Sequence, residues 1–349
     1  MTPSERNIWI KTLARSAGFD LCGVARAEPS PRRDYIRAWL DGGSAGTMAY
    51  LHRHFEKRTD PAALLPGARS VVMTGLSYHR RGTGEDEKAL PHGCGSTIET
   101  DQRSSRGSVE GRVAMYAWGE DYHVVIRRKL APLADALMQE GRAESAEHAV
   151  KICVDTAPLL EREFAAAAGL GWIGKNTLVL NPALGSTFFL GAIVTTLDIT
   201  PDAPMPDHCG TCRRCLDACP TAAFPEPYRM NASRCISYLT IERREAIPAE
   251  FHAAIGDRLF GCDDCQDVCP FNRNVPETAE PTFAPGSHAP RIDAQELLTW
   301  DQEMYRSKLA GTAITRAKLD MLRRNAGIVL KNARASTTSP ASDAPRDDR

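Results

Sequence analysis

The chain has 349 residues, of which 42% are hydrophobic, so it can bury a sizeable core and form two domains. Its formal net charge of −1 argues against a generally basic surface, so a nucleic-acid partner would need a local basic patch. No apolar run approaches the roughly 18 residues of a membrane helix, and residues 1–11 show neither an apolar signal core nor twin arginines. We therefore expect a cytoplasmic protein with no membrane partner.

Residues 1–200 alternate predicted helices and strands, which indicates an α/β or α+β domain. Apolar spacing and capping residues predict helices over 4–17, 33–40, 116–138 and 158–168. Buried strands are predicted over 19–24, 68–73, 149–154 and 186–199. Residues 80–112 are rich in glycine, serine and charge, which predicts a long surface loop with an incidental Cys94.

Proline-rich linkers divide the rest of the chain. They cover residues 200–206 and 277–290, and a cysteine-rich region lies between them. Residues 293–333 are predicted to form two helices, and the polar tail from Ser336 is predicted to be disordered. The predicted units are therefore 1–205, 206–280, 281–335 and 336–349.

Eight of the eleven cysteines lie in the cysteine-rich region. The first run holds four cysteines within eleven residues and ends in Cys-Pro, which is the bacterial ferredoxin pattern for a 4Fe–4S cluster. In that pattern the last cysteine of a run ligates the other cluster, and Cys235 replaces the missing first cysteine of the second run. The predicted ligands of the first cluster are Cys209, Cys212, Cys215 and Cys269. The predicted ligands of the second cluster are Cys219, Cys235, Cys262 and Cys265.

The alternatives for these cysteines are a zinc site and a disulfide framework. A zinc ribbon uses two separated pairs of cysteines, whereas here one run holds four and both runs end in Cys-Pro. Disulfide frameworks are typical of small secreted domains, and this chain is neither small nor visibly secreted. The spacing therefore favours two iron–sulfur clusters, and with them electron transfer.

Asp155 is the candidate catalytic acid. It follows the predicted strand 149–154 and precedes the predicted helix 158–168, which is a common place for a catalytic carboxylate. Burial there would raise its pKa and allow it to donate a proton. The alternative is that Asp155 caps the following helix, and the residues alone leave both roles open.

Motifs along nearly the whole chain resemble those of the epoxyqueuosine reductases, which are cobalamin-dependent iron–sulfur enzymes related to reductive dehalogenases. Besides the run CGTCRRCLDACP at 209–220, the matching motifs are KRTDP at 57–61, YAWGEDYH at 116–123, VDTAPLLER at 154–162, GWIGKN at 171–176, CISYLT at 235–240, GCDDCQDVCP at 261–270, GTAI at 311–314 and RRNA at 323–326. The resemblance implies an α+β fold. An N-terminal α/β, nitroreductase-like domain binds cobalamin, and a ferredoxin-like two-cluster domain and a short C-terminal helical segment follow.

The resemblance also implies a reaction. An epoxyqueuosine reductase is an oxidoreductase that reduces epoxyqueuosine to queuosine at the wobble position of tRNA, the last step of queuosine biosynthesis. Two 4Fe–4S clusters feed electrons to cobalamin, and the aspartate that matches Asp155 donates a proton to the departing oxygen. The alternatives are a reductive dehalogenase-like enzyme that acts on a small molecule and a pure electron-transfer protein.

The same resemblance marks residues for the cofactor. The expected cobalamin contacts are Arg58, Asp155, Val179, Leu190, Ser237 and Asp263. Ordinary strand packing is the alternative for Val179 and Leu190, and a solvated loop is the alternative for Arg58. The D-x-H-x-x-G string, whose histidine binds cobalt in other proteins, is incomplete because Ile126 stands where it needs glycine. We therefore expect no protein histidine on the cobalt.

Basic residues between positions 306 and 334 could neutralise phosphates despite the near-zero total charge. The expected contacts with a tRNA that carries a queuosine-type anticodon are Arg244, Arg316, Lys318, Arg323 and Arg324. The alternative is an ordinary solvated helix face. We also expect an electron donor, which the sequence does not identify, and a monomeric protein.

Overall fold

The computed structural model describes residues 1–81 and 108–338. Its helices are α1 (Pro3–Ser16), α2 (Arg33–Asp41), α3 (Ala49–Arg53), α4 (Phe55–Thr59), α5 (Pro61–Leu64), α6 (Tyr122–Arg142), α7 (Glu161–Ala167), α8 (Arg214–Asp217), α9 (Ile236–Ile241), α10 (His252–Ile255), α11 (Asp264–Asp267), α12 (Ala294–Thr299), α13 (Gln302–Leu309) and α14 (Leu319–Thr338). Its strands are β1 (Leu21–Arg26), β2 (Ser70–Ser77), β3 (Glu110–Val113), β4 (Val150–Cys153), β5 (Trp172–Ile173), β6 (Val179–Leu180), β7 (Phe188–Thr195), β8 (Arg258–Phe260) and β9 (Arg291–Asp293). Every helix in the described ranges is too short or too polar to cross a membrane.

The N-terminal part of the chain is built on an antiparallel sheet in the order β1-β2-β7-β4. β2 is buried along its whole length, and its side chains alternate between the two faces of the sheet. Val72 and Leu76 pack with residues of α1 and α6 on one face, whereas Val71 and Met73 pack with residues of α7 on the other. Both faces are thus covered, and the edge strand β4 leads toward Asp155.

A second sheet joins distant parts of the chain. β3 pairs in parallel with β8 and antiparallel with β9, so each of the first three predicted units contributes one strand. Phe260, Ile292 and Leu322 lie in one apolar cluster, in which α14 packs over this sheet. The cysteine-rich region and the C-terminal helices therefore pack together with the N-terminal region, and the boundaries of the units stay a prediction.

Several predicted element boundaries are wrong, each for a local reason. α1 begins at Pro3 because Thr2 caps it and Glu5 completes a capping box. α7 begins at Glu161, since residues 155–160 form turns instead of helix. The end of the predicted loop 80–112 forms β3, while residues 82–107, with Cys94, lie outside the described residues.

The C-terminal region also differs from its prediction. It holds three α-helices where two were predicted, because Asp293 caps α12 and Asp301 starts a separate helix, α13. α14 runs to Thr338, so the first residues of the predicted disordered tail are helical. The rest of that tail, residues 339–349, lies outside the described residues.

Candidate active site

Four predicted cluster ligands line one cavity of about 240 Å³. Cys209, Cys212 and Cys215 come from the first cysteine run, and Cys269 comes from the end of the second run. This is the set that the ferredoxin pattern predicts for the first cluster. The cavity is several times the volume of a water molecule, so four thiols around it fit a 4Fe–4S cluster.

The other four ligands form a second group beside the first. Burial raises the pKa of the Cys265 thiol, and the negative charges of the Cys262 and Cys235 thiolates raise it further. Burial likewise raises the pKa of the Cys235 thiol, and the negative charge of the Cys219 thiolate raises it further. Because such interactions fall off with distance, the four thiols of the second predicted set lie near one another.

The described cysteines bear on the disulfide alternative. All ten cysteines in the described ranges are free thiols, without a disulfide between them. Four of these thiols instead line the cavity described above.

The turn at 171–176 forms hydrogen bonds with both cysteine runs. Nζ of Lys175 donates to the carbonyls of Gly210 and Cys212 at 2.5 and 2.9 Å. Nδ2 of Asn176 donates to the carbonyl of Cys265 at 3.4 Å. The sequence carries this turn as the motif GWIGKN, but nothing in the motif itself indicates that it supports the cluster ligands.

Asp155 lies after β4 and has a φ of 46°, a left-handed conformation that is uncommon for residues other than glycine. α7 begins six residues later, and its N-cap residue, Leu160, makes no side-chain cap. Asp155 therefore caps no helix, and the helix-cap alternative is wrong. Its side chain is 59% exposed, so a substrate can reach the carboxyl group.

His123 joins Asp155 to a second carboxylate. It lies in the first turn of α6, just after the cap residue Asp121. Nε2 of His123 lies 3.2 Å from Oδ2 of Asp155, and Nδ1 lies 2.7 Å from Oδ1 of Asp121. Burial would lower the pKa of His123, but the hydrogen bonds to both carboxylates raise it to about 9. His123 is therefore protonated at neutral pH and directs one N–H at each carboxylate.

The pKa of Asp155 is lowered and not raised. Although solvent reaches its side chain, the dense protein around it would raise the pKa. The hydrogen bond from His123, the charge of that ring and a hydrogen bond from Tyr122 outweigh this effect. Burial acts in the predicted direction, but the predicted raised pKa of Asp155 is wrong, because these interactions lower it overall. At neutral pH the proton of this pair rests on the imidazole, one hydrogen bond away from Asp155.

Glu161 is a further carboxyl group beside Asp155. Its Oε1 accepts the backbone N–H of Asp155 at 2.7 Å. Burial raises the pKa of Glu161 to about 8, with a further contribution from the negative charge of Asp155. The sequence-based prediction of site residues missed both Glu161 and His123. The motifs VDTAPLLER and YAWGEDYH contain them, but only the fold brings these motifs together.

Arg58, a predicted cobalamin contact, belongs to the same site. Burial lowers the pKa of Arg58, whereas the charges of Tyr50, Asp155 and Glu161 raise it. The guanidinium therefore lies beside Asp155 and Glu161, which we call, together with His123, the proton-carrying groups. Nε of Arg58 is buried and has no hydrogen-bond partner among the described residues. A buried N–H without an acceptor is costly, so this donor fits a polar group of a bound cofactor.

The other predicted cobalamin contacts have neighbours within the protein. Oδ2 of Asp263 accepts the N–H of Met115 at 2.7 Å, and burial raises the pKa of Asp263 to about 6. Val179 is buried in β6 and Leu190 is half-buried in β7, and both pack in one apolar cluster. Ser237 is half-buried in α9. Their contact with cobalamin stays a prediction.

Three of the predicted tRNA contacts are exposed. Arg244 and Lys318 present their side chains to solvent. Arg316 is exposed as well, and it donates from Nε and Nη2 to the carboxylate of Glu242 at 2.8 and 2.9 Å. The charge of Asp155 also contributes to the raised pKa of Arg316, after the larger effect of Glu242. Of the three exposed basic residues, Arg316 therefore lies near Asp155.

Arg323 and Arg324 instead donate hydrogen bonds to backbone carbonyls of the protein. Both are half-buried in α14. Nη1 of Arg324 donates to the carbonyls of Arg243 and Glu245, each at 2.6 Å. Arg323 donates to the carbonyl of Trp300. A charge reversal at either arginine would therefore disturb internal hydrogen bonds as well as any contact with tRNA.

Two family models match the chain. Residues 208–272 match a model described as a 4Fe–4S double cluster binding domain, which confirms the predicted pair of clusters over the zinc and disulfide alternatives. Residues 58–156 match a model described as epoxyqueuosine reductase QueG.

Curated relatives match over nearly the whole chain. The epoxyqueuosine reductase of Xanthomonas campestris pv. campestris is 39% identical over 334 residues, which cover 96% of this chain and 89% of the relative. That of Pseudomonas aeruginosa is 40% identical over 325 residues, which cover 93% and 84%. A crystal structure of an epoxyqueuosine reductase with an epoxyqueuosine-modified tRNA-Tyr stem loop is 31% identical, with a TM-score of 0.81, and the match covers 95% of this chain and 83% of that chain.

Proposed function

This chain belongs to the epoxyqueuosine reductase family, and from that membership we propose that Asp155 passes a proton to the oxygen that leaves the substrate. The enzyme is an oxidoreductase that reduces epoxyqueuosine to queuosine in tRNA. Its cofactors are cobalamin and two 4Fe–4S clusters. Its fold is of the predicted α+β class, and the double-cluster region follows the strands of the first sheet in the sequence.

The contact between Asp155 and His123 carries the proposal. Removal of the epoxide oxygen as water consumes two electrons and two protons. When bound, the clusters and cobalamin supply the electrons. The chain must deliver protons to the oxygen, because a bare alkoxide or hydroxide is a poor leaving group. Asp155 suits this task, because its carboxyl group is open to a substrate and its Oδ2 lies 3.2 Å from a protonated imidazole.

His123 is the proposed proton reserve for Asp155. Its pKa of about 9 keeps the ring protonated at neutral pH. The proton moves from Nε2 of His123 to Oδ2 of Asp155, and Asp155 passes it on to the substrate oxygen, so that the imidazolium is its source. Asp121, 2.7 Å from Nδ1, keeps the ring oriented during this transfer.

Arg244, Arg316 and Lys318 are the proposed contacts with the tRNA backbone. All three are exposed cations, and cations that neutralise phosphates release counterions from the nucleic acid. The interaction of Arg316 with Asp155 supports this placement, because the wobble nucleoside must reach Asp155 while the rest of the anticodon stem loop stays on the surface. Arg323 and Arg324 are proposed to support the basic surface from inside.

The remaining assignments complete the proposal. The cobalamin contacts are Arg58, Asp155, Val179, Leu190, Ser237 and Asp263, and the unpartnered Nε of Arg58 is their strongest support. The tRNA partner has a queuosine-type anticodon, and a separate electron donor reduces the clusters. The protein works as a monomer in the cytoplasm, where reducing conditions keep the cluster-binding thiols available.

Nucleoside mass spectrometry of tRNA tests the function. The substrate is tRNA that carries epoxyqueuosine, incubated without oxygen with the cofactor-loaded enzyme and a strong reductant. We expect conversion to queuosine by the wild type. Asp155→Asn should keep the absorption of both cofactors but lose about 100-fold or more in rate, because proton transfer is removed.

Asp135→Asn is the matched control, since Asp135 is an exposed carboxylate on α6, and it should turn over like the wild type. An Asp155→Asn enzyme of wild-type rate would overturn the role of Asp155. Failure of the fully loaded wild type to convert the nucleoside would overturn the function.

A further inference from the structure

We propose that Glu161 is a positioning residue, which holds Asp155 in the site by accepting its backbone N–H. The inference rests on the proposed role of Asp155 as proton donor. The contact is at the backbone of Asp155 and leaves its carboxyl group free. Glu161 therefore acts on the reaction through Asp155.

The backbone of Asp155 is in a conformation that needs support. Its φ of 46° lies in the left-handed region, where the Cβ atom crowds the following carbonyl oxygen. Non-glycine residues stay in this region only where the surrounding structure holds them, and such positions cluster at active sites. The hydrogen bond of 2.7 Å from the Asp155 N–H to Oε1 of Glu161 supplies such a hold.

Glu161 can hold Asp155 because α7 holds Glu161. Glu161 is the first residue of this helix, and Phe164 and Ala165 of the same helix are buried against the main sheet. The packing of α7 thus sets the position of the Glu161 side chain, and the hydrogen bond transmits that position to the chain after β4. His123 holds the other end of Asp155, its carboxyl group, at 3.2 Å.

The protonation state of Glu161 suits this role. Burial and the charge of Asp155 raise its pKa to about 8, so at neutral pH the neutral form predominates and accepts the N–H through one oxygen. A neutral carboxyl group also avoids a second negative charge beside Asp155. Glutamine at this position would keep a neutral acceptor oxygen, whereas alanine would remove it.

Hydrogen–deuterium exchange of the Asp155 amide tests the contact directly. The cofactor-loaded enzyme is used, and fragmentation in the mass spectrometer resolves the single amide. Glu161→Ala should speed its exchange by about tenfold or more, because the amide loses its acceptor. Glu161→Gln should stay within about threefold of the wild type, since the acceptor oxygen remains.

Glu163→Ala is the matched control, because Glu163 lies in the same helical turn but accepts from Oγ of Ser30 at 2.7 Å. It should change neither the exchange of the Asp155 amide nor the activity. In steady-state turnover, Glu161→Ala should lower kcat about tenfold with an unchanged KM for tRNA, and Glu161→Gln should restore most of the loss.

Unchanged amide exchange in Glu161→Ala would overturn the proposal, as would equal losses of kcat in the alanine and glutamine variants. Failure of the proposed function would look different. An active Asp155→Asn enzyme would remove Asp155 from the reaction, and the exchange measurement would still decide whether Glu161 holds its amide.

Discussion

The cysteine-rich region and the proton-carrying groups around Asp155 are built in opposite ways. Seven of the eight predicted cluster ligands come from two short runs, so spacing along the chain already indicates which thiols share a cluster. The proton-carrying groups instead come from the start of α6, the end of β4 and the start of α7. Local spacing can therefore predict an electron-carrying site, whereas a proton-carrying site depends on which distant groups the fold brings together.

Two neighbouring carboxyl groups show how strong that dependence is. Asp155 and Glu161 belong to one motif, and the carboxyl of Glu161 is hydrogen-bonded to the backbone of Asp155. The pKa of Asp155 is lowered while that of Glu161 is raised to about 8. The difference arises because the protonated ring of His123 bonds the carboxyl of Asp155, whereas burial dominates at Glu161.

The largest expected effect comes from breaking the first cluster at its most distant ligand. Cys269→Ala should lose about half of the bound iron and slow turnover by about 100-fold or more, because one of the two clusters loses a ligand. Cys209→Ala should remove the same cluster, and Cys262→Ala should remove the other. Iron analysis and electron paramagnetic resonance of the reduced protein distinguish the two clusters.

The control for these variants is Cys22→Ser, which changes a half-buried free thiol in β1 and should keep all of the iron. If Cys269→Ala and Cys209→Ala removed different clusters, the predicted pairing of the two runs would be wrong.

A smaller effect is expected from removing the proton reserve. His123 is protonated below its pKa of about 9 and neutral above it, so the wild-type rate should fall as the pH rises through about 9. His123→Gln should lower the rate at neutral pH about tenfold and abolish this fall, because glutamine does not titrate. Single-turnover assays from neutral to alkaline pH measure both effects. Persistence of the same fall in His123→Gln would assign it to another group.

The smallest effects should separate the two kinds of basic residue in the C-terminal region. Arg324→Ala loses its hydrogen bonds to backbone carbonyls, so it should lower the free energy of unfolding by about 2 kcal/mol. Lys318→Ala should change that free energy by less than about 0.5 kcal/mol, because Lys318 is exposed. It should weaken tRNA binding a few-fold and reduce the number of counterions released on binding, read from the salt dependence of the affinity, by about one.

Urea denaturation and tRNA titrations at several salt concentrations measure these two quantities. A destabilised Lys318→Ala protein, or one with unchanged salt dependence, would remove Lys318 from the proposed tRNA surface.

Much of the fold was predictable because its elements carry local signals. α2 and β2 lie within a few residues of their predictions, since apolar spacing and buried runs mark them. The start of α7 was not predictable, because Pro158 and Asp155 are both good residues for a helix start and the chain uses neither. The pairing of β3 with β8 and β9 had no local signal, since the partners lie more than a hundred residues away.

Spacing along the chain was sufficient to predict the two clusters, because thiolate spacing is a local feature. The division of their ligands and the role of Asp155 also follow from local features of the chain, and both stay predictions. Tertiary structure alone decided that His123 holds the proton, that Glu161 supports the backbone of Asp155 and that Arg323 and Arg324 bond to internal carbonyls. The physical reason is that pKa values and hydrogen bonds depend on neighbours in space, and the chain brings these neighbours together only when it folds.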